Sequence, residues 1–548
     1  MPARRLLTFA LLAAIAAGLV GLVAAALGAE GWSLGKLLFL AAFAGTAPWT
    51  ALCAVNGLLG FAILMLARDP AGFTFAIPDR PVAALPRTAI AVTVRNEDMA
   101  QVLPPLRRLL DGLDAAGAGD AFALFILSDT QDPAHAAAEE KALAAFRAAD
   151  TLVDRIKYRR RAENTGFKAG NVMDFLDHHA DGFELMLALD ADSEMSAAAV
   201  LRLVRAMANE PRLAIAQQLI VGRPTDAAFP RLFQFGMRAG MRTWATGQAF
   251  WQGGDGPYWG HNAVLRIAPF RDACRLPLLP GGAHILSHDQ VEAALLAGAG
   301  WQVRVLASEQ GSSEANPPAL PEFLHRDARW LAGNLQYRHL LRLPGLSAMG
   351  RWQLAQAILL FAGAPLYAAM LVLAAAMAAA GERVPAGAAG CALGAWLLAL
   401  YAPKLLGHAE VLLKPAERAR YGGARRVAVG AGVEFIFTLA LDAIGAVAKT
   451  LAMARLALGL RAGWVAQNRT ARGVGWGEAA RMLWPHTLLG LACFAGFASA
   501  GWVTLAWALP LAGGLPVAVP LCVLTSDPRL GQWLKARGIA AIPEELEG

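Results

Sequence analysis

The stretch Glu184-Leu-Met-Leu-Ala-Leu-Asp-Ala-Asp-Ser-Glu194 joins an apolar run, Leu185 to Leu189, to two carboxylates spaced i, i+2. Such a run reads as a strand buried on both faces. Carboxylates just beyond its C-terminal end stand where open α/β sheets bind nucleotides. Two neighbouring anions repel. A divalent cation shared with a diphosphate relieves that repulsion, since Mg2+ is ordinarily held by one or two carboxylates plus phosphate oxygens. The plain alternative is a capped helix start, and the Asp190-Ala-Asp192 pair alone does not separate the two.

Five other stretches carry groups able to act with it. Asp129 follows the apolar run Phe122 to Leu127; its carboxylate suits a hydrogen bond from a uracil or a ribose, or a simple turn. Tyr158 to Asn171 is basic and punctuated by glycine. Backbone N–H groups at a helix start, with Lys168 beside them, make a diphosphate site, unless the stretch is only a solvated loop. His284-Ile-Leu-Ser-His-Asp289 precedes an apolar helical pattern. Asp289 there is either an N-cap or a general base within reach of an acceptor hydroxyl, with His288 as its neighbour. Tyr258, Trp259, His261 and Asn262 together have the makeup of a sugar platform or of a packed loop. Arg326, Arg329 and Trp330 join two guanidiniums to an indole, a combination that also anchors chains at a membrane surface.

The elements around these residues alternate. Strands are expected at Thr88 to Val94, Phe122 to Leu127, Leu185 to Leu189 and Leu213 to Gln217. Helices are expected at Met99 to Leu113, Pro133 to Ala149, Lys168 to His178 and Ala197 to Ala208. That order predicts a doubly wound, mostly parallel α/β sheet with right-handed crossovers. The strand ends at Arg95-Asn-Glu97, Asp129 and Asp190-x-Asp192 then share one edge.

The chain has 548 residues, 56% hydrophobic and 17% charged, too apolar for an ordinary soluble protein. The long apolar runs fall at residues 1–67 and 352–525. The expected organisation is therefore an N-terminal transmembrane hairpin (1–67), an inserted domain (68–345), a C-terminal transmembrane region (346–528) and a short tail (529–548). Leu6 to Gly28 and Leu37 to Ala67 make the hairpin, and the second region opens with spans at Gln353 to Ala380 and Ala386 to Ala402. Residues 404–426 are basic and amphipathic, suiting an interfacial segment. Val427 to Leu458 carries Glu434, Asp442, Lys449 and Arg455 between basic flanks that include Arg425, Arg461 and Arg469, which favours a tight pair or a re-entrant element over a single span. Trp484 to Leu509 and Leu511 to Leu524 form a last hairpin. Arg4, Arg5 and Arg68 put the N-terminus and the inserted domain in the cytoplasm. The net charge of +7 reads as topology and lipid contact, not nucleic-acid binding. Five cysteines without CxxC spacing suggest neither a zinc site nor a disulfide framework.

Taken in order, Asp129, Asp190-x-Asp192, His288-Asp289 and Arg326-x-x-Arg329-Trp330 resemble the motif series of processive family 2 glycosyltransferases such as cellulose synthase. The chain resembles the glucans biosynthesis glucosyltransferase H family more closely. That resemblance rests on Arg159 to Arg161 with Gly170-Asn171, Leu189 to Ser193, Tyr258 to Asn262, Ile285 to Asp289 with Val291 to Leu295, Asn316-Pro-Pro318, Gly333 to Leu335 and Val523 to Ser526. Two departures stand out: a short region before the first span, and Gln290 with Leu331-Ala332 where relatives are expected to differ.

The resemblance implies a cytoplasmic glycosyltransferase-A domain between transmembrane helices of a multi-pass bacterial inner-membrane protein. It implies an inverting transfer from UDP-glucose to a linear, mainly β-1,2 glucan exported to the periplasm, with Mg2+ or Mn2+ as cofactor. Asp289 would be the base. Glu97 and Asp129 would meet the uridine; Lys168, Asp190, Arg326, Arg329 and Trp330 would bind the rest of the UDP-sugar, and Asp190 with Asp192 the metal. Tyr258, Trp259, His261, Asn262, His288 and Trp330 would seat the glucan acceptor. Acyl carrier protein and periplasmic glucan-modifying proteins are implied partners. A cellulose- or hyaluronan-type synthase, expected to carry Gln in place of Arg326, and a non-catalytic membrane scaffold or transporter are the competing readings.

Overall fold

In the computed structural model, residues 2–77, 84–149, 153–460 and 470–546 are described. Arg461 and Arg469, two of the basic flanks named above, lie outside them. The strands in chain order are β1 (Thr88–Val94), β2 (Phe122–Ser128), β3 (Ile156–Arg160), β4 (Leu185–Asp190), β5 (Glu194–Met195), β6 (Leu213–Gln218), β7 (Val221–Gly222), β8 (Ala263–Arg266), β9 (Gln302–Leu306) and β10 (Ser312–Glu314).

Seven of them form one sheet in the order β3-β2-β1-β4-β8-β6-β9. Its first four strands are parallel, whereas β8 runs antiparallel between β4 and β6. The expected doubly wound domain is present, with a mixed sheet. Period-two side chains feed two cores. Ile90, Val92, Leu124 and Leu187 face the helices Met99–Ala115 and Ala197–Asn209, while Ala91, Phe125 and Met186 face Phe175 and Leu176 of Phe167–His178.

Strand register builds the functional edge. Val94 lies opposite Ser128 and Thr93 opposite Asp190, so β2 and β4 end level on either side of β1. At the usual strand spacing their tips are about 10 Å apart. A second sheet, β5-β10-β7, covers this edge and delivers Glu314 to it.

Among the described residues five helices are long and apolar enough to cross a membrane, or six if the bent pair Ala386–Leu400 and Ala402–Leu413 counts as one span. That pair bends by 70°, so the expected span to Ala402 ends instead at a corner. The last expected hairpin is also different. Its chain breaks at Ala500 and Gly501, where Gly501 takes φ +106°, and it returns as two short helices, Trp502–Ala512 and Ala518–Ser526.

Residues 427–458 are neither a pair nor a loop: Ala424–Ala457 is one unbroken helix. It meets the inserted domain at several points, among them Gly430 against Phe235, Phe437 against Phe229 and Lys449 paired to Asp327 at 2.9 Å. Gly430 and Lys449 lie 19 positions apart, about 28 Å along the helix, and the domain contacts are spread over that length. Its polar side chains find partners on the neighbouring apolar helices. Glu434 is fully buried and bonds Lys404, and Asp442 accepts from the Tyr401 hydroxyl at 2.8 Å.

The helix Ala228–Gln252 was not expected from sequence and docks the domain to these helices. It crosses them where glycine lets backbones touch: a Cβ on Gly60 would lie 1.8 Å from Thr243 O, and one on Gly247 2.2 Å from Asn56 O. Small residues at helix crossings serve this purpose inside membranes.

Candidate active site

Asp190 ends β4, and Ser193 closes the turn behind it: Ser193 Oγ accepts from the Asp190 N–H at 3.0 Å. The turn brings Asp192 to the same edge. The Lys168 ammonium, one residue into the helix Phe167–His178, bonds the Asp190 carboxylate and donates to Gly260 O at 3.0 Å. Asp289 approaches from another direction, as the first residue of the helix Asp289–Gly298. A Cβ built on Gly260 would lie 3.7 Å from Lys168 Nζ and 3.6 Å from Asp289 Cβ. Gly260 takes φ +88°, a backbone state glycine adopts without penalty. Lys168 and Asp289, 121 residues apart in sequence, thus meet at one bare point of chain, and Lys168 ties Asp190 to it.

The surrounding protein displaces water from Asp289 and raises its pKa. His288 and Lys168 oppose that rise, and Glu292 adds to it. His288 Nδ1 lies 2.9 Å from Glu292 Oε2. Burial alone would lower the imidazole's pKa, but Glu292 outweighs burial and holds it above its ordinary value. His288 therefore turns towards Glu292 on its own helix.

Asp129 sits on the other side of β1, 5% exposed. Arg161 grips it with two hydrogen bonds of 2.7 Å and also donates to Thr165 O and Phe167 O at 3.0 Å. The basic loop, expected to bind a diphosphate, thus commits Arg161 to Asp129. Glu97 is half-buried just past β1.

The expected sugar platform divides. Tyr258 is 2% exposed and packs edge-on to Phe270 inside the core, so it offers no face to a sugar. Asn262 is fully buried and donates to Ser312 Oγ at 3.0 Å. Both are structural; an i, i+4 pair in an irregular loop gave no sign of facing inward. Trp259 and His261 remain partly open. His261 Nδ1 lies 3.1 Å from Ser193 Oγ, and its Nε2 lies 3.4 Å from Glu314 Oε2.

Glu314 was not foreseen. Displaced water raises its pKa; His261 and Arg326 oppose the shift, while Asp192 and Asp190 reinforce it. It therefore looks onto the Asp190-x-Asp192 pair. The only signal in sequence was an acid two residues before Asn316-Pro-Pro318. Arg326, 8% exposed, lies 4.4 Å over the Trp330 ring, and burial lowers its pKa. Trp330 is 47% exposed. Arg329 is half-buried one turn along the same helix, Leu320–Gln336.

Two carboxylates on one edge, a lysine beside them and a third carboxylate facing across a glycine suit transfer from a diphosphate donor. Among the described residues no group of three or more His, Cys, Asp or Glu side chains forms a ready metal cage. A divalent ion at Asp190 and Asp192 would thus need oxygens from a bound diphosphate.

The model of "Glycosyl transferase family 2" matches residues 89–273, and that of "Glycosyl transferase family group 2" matches residues 185–402. Glucans biosynthesis glucosyltransferase H of Caulobacter vibrioides is 36% identical over 96% of this chain and 84% of its own length. The protein of that name from Bradyrhizobium diazoefficiens is 34% identical over 93% and 70%. Among solved structures, a mannosyltransferase from Pyrobaculum calidifontis in complex with GDP-Man and Mn2+ is similar at TM-score 0.39 and 16% identity, covering 66% of this chain and 98% of that one. The identity to the curated relatives extends across both the sheet domain and the apolar helices, and the chain belongs to the glucans biosynthesis glucosyltransferase H family.

Proposed function

We propose that the chain is a membrane-embedded, inverting glucosyltransferase that moves glucose from UDP-glucose to a growing, mainly β-1,2-linked glucan and delivers it to the periplasm. The observation that carries this reading is the approach of Lys168 and Asp289 to one point, Gly260, with Asp190 held by Lys168. A donor diphosphate held at the Asp190 side puts the anomeric carbon between the two groups. Asp289 takes the proton of the acceptor hydroxyl as its oxygen attacks that carbon. The bond to the β-phosphate side breaks in the same displacement, and UDP leaves from the opposite face.

A raised pKa suits Asp289 to the task, because a base works best with a pKa nearer the working pH. Mg2+ or Mn2+ at Asp190 and Asp192 would neutralise charge on the departing diphosphate. The donor set fits such an ion, since Asp190 and Asp192 offer two carboxylates at one sheet edge and Glu314 faces them. Lys168 and Arg326 stabilise the same developing charge from the protein side. Glu97 and Asp129 hold the uridine, and Arg329 adds positive charge beside the sugar diphosphate. Trp330, Trp259, His261 and His288 line the acceptor path. Acyl carrier protein and periplasmic glucan-modifying proteins are partners this reading inherits from the family.

Purified protein supplied with radiolabelled UDP-glucose tests the proposal through linkage analysis of the product. β-1,2-linked glucan is expected, with loss of incorporation in EDTA. A purely β-1,4 product would replace this reading with a cellulose-type synthase, and no incorporation at all would favour a scaffold or transporter.

A further inference from the structure

Behind the strand tips lies a carboxylate that the reaction above does not use. Glu139, on the helix Pro133–Ala148, is 1% exposed. Its Oε2 accepts from Ser128 Oγ at 2.7 Å and from the Tyr158 hydroxyl at 3.0 Å, while its Oε1 accepts from Thr130 Oγ1. Ser128 and Thr130 flank Asp129 in sequence.

Each of those two hydroxyls also receives a hydrogen bond. Ser128 Oγ accepts from the Thr130 N–H at 3.1 Å, and Thr130 Oγ1 accepts from the Asn96 N–H at 2.8 Å. A hydroxyl that accepts from a backbone N–H must send its own proton elsewhere. An ionised carboxylate has acceptors only, so it sets the direction of both relays. A glutamine would turn its amino group towards at least one of them and compete with a backbone N–H.

The ends of the relays are the groups proposed for the nucleoside. Asn96 holds a left-handed φ of +56° immediately before Glu97. Asp129 N–H donates to Val94 O at 2.9 Å, and Asp129 O accepts from Asn164 at 2.8 Å. A buried carboxylate is a costly way merely to fill space, because desolvating it is expensive.

We propose that Glu139 is the positioning residue of the nucleotide-base pocket, clamping Asp129 from both sides and, through Thr130, the backbone that carries Glu97. This rests on the UDP-sugar reading above. It makes Glu139 a determinant of donor affinity, not of acceptor affinity or of the chemical step.

The test uses full-length protein in detergent or nanodiscs, with Glu139→Gln and Thr130→Val. Both variants are expected to raise the KM for UDP-glucose on the order of tenfold, the scale of one broken relay. The acceptor KM stays unchanged, and kcat at saturating donor stays within about threefold. Unaltered donor KM in both variants overturns the role of Glu139. A matched fall in donor affinity, acceptor affinity and thermal midpoint does so as well, since that pattern marks a purely structural residue. Thr130→Val decides the matter if Glu139→Gln fails to fold. Wild-type protein that neither binds UDP nor turns over UDP-glucose defeats the functional reading itself, and this proposal with it.

Discussion

Asp289 is the residue whose surroundings say most about its chemistry. Displaced water and Glu292 favour its neutral form, while His288 and Lys168 favour the anion, and the balance leaves its pKa raised. Only the anion can take a proton. Activity is therefore lost as pH falls through the raised value, so the acid limb of kcat should stand above the ordinary aspartate pKa of about 3.9. Asp289→Asn removes the base and should lower kcat about 10²-fold or more without a comparable change in donor KM. A pH–rate profile of wild type, read beside single-pH kinetics of the variant, checks both. Full activity of the variant would remove Asp289 from the mechanism.

Elements differ in how plainly sequence announces them, and the difference is physical. β1, β2 and β4 are buried on both faces, so each is a continuous apolar run whose polar stop marks the functional edge. That made Asp129 and Asp190 legible. β3, at the sheet's edge, reads Ile-Lys-Tyr-Arg-Arg, which has no such run. β10 has three residues, too few to show a period, so Glu314 stayed hidden.

Charges in the helix Ala424–Ala457 misled in another way. They suggested a broken element because their partners lie far off in sequence. Lys404, on the helix Ala402–Leu413, bonds Glu434, and Glu434 also meets His408 Nε2 at 3.4 Å. Removing one member of such a pair strands a buried charge, so Lys404→Met should cost about 3–5 kcal/mol. Adding Glu434→Gln to it should restore most of the loss, because no net charge is then left buried. Thermal midpoints in detergent measure this; an undestabilised Lys404→Met would mean the pair contributes nothing.

At the scale of the whole molecule, the membrane helices have a domain end and a far end. Arg4 and Arg5 reach Phe250, Trp251 and Gln252 carbonyls, and Lys414 reaches Leu64 O, so these basic residues sit at the domain end with Arg418 and Arg420. At the far end Ser33 bonds Glu382 at 2.6 Å, and Lys36 donates to Gly31 O and Arg383 O at 2.9 Å. Basic residues crowd the domain end, and such an excess marks the cytoplasmic side. That rule predicts that the far turns, including exposed Glu30, face the periplasm. Cysteine labelling can decide the orientation cleanly: four of the five native cysteines are buried, and Cys391→Ser removes the exposed one. On that background, Glu30→Cys should react with an impermeant maleimide in cells whose outer membrane alone is opened. Lys141→Cys, exposed on the domain helix Pro133–Ala148, should react only after lysis. The reverse pattern would turn the domain outward, away from any cytoplasmic supply of nucleotide sugar, and the proposed donor would fall with it.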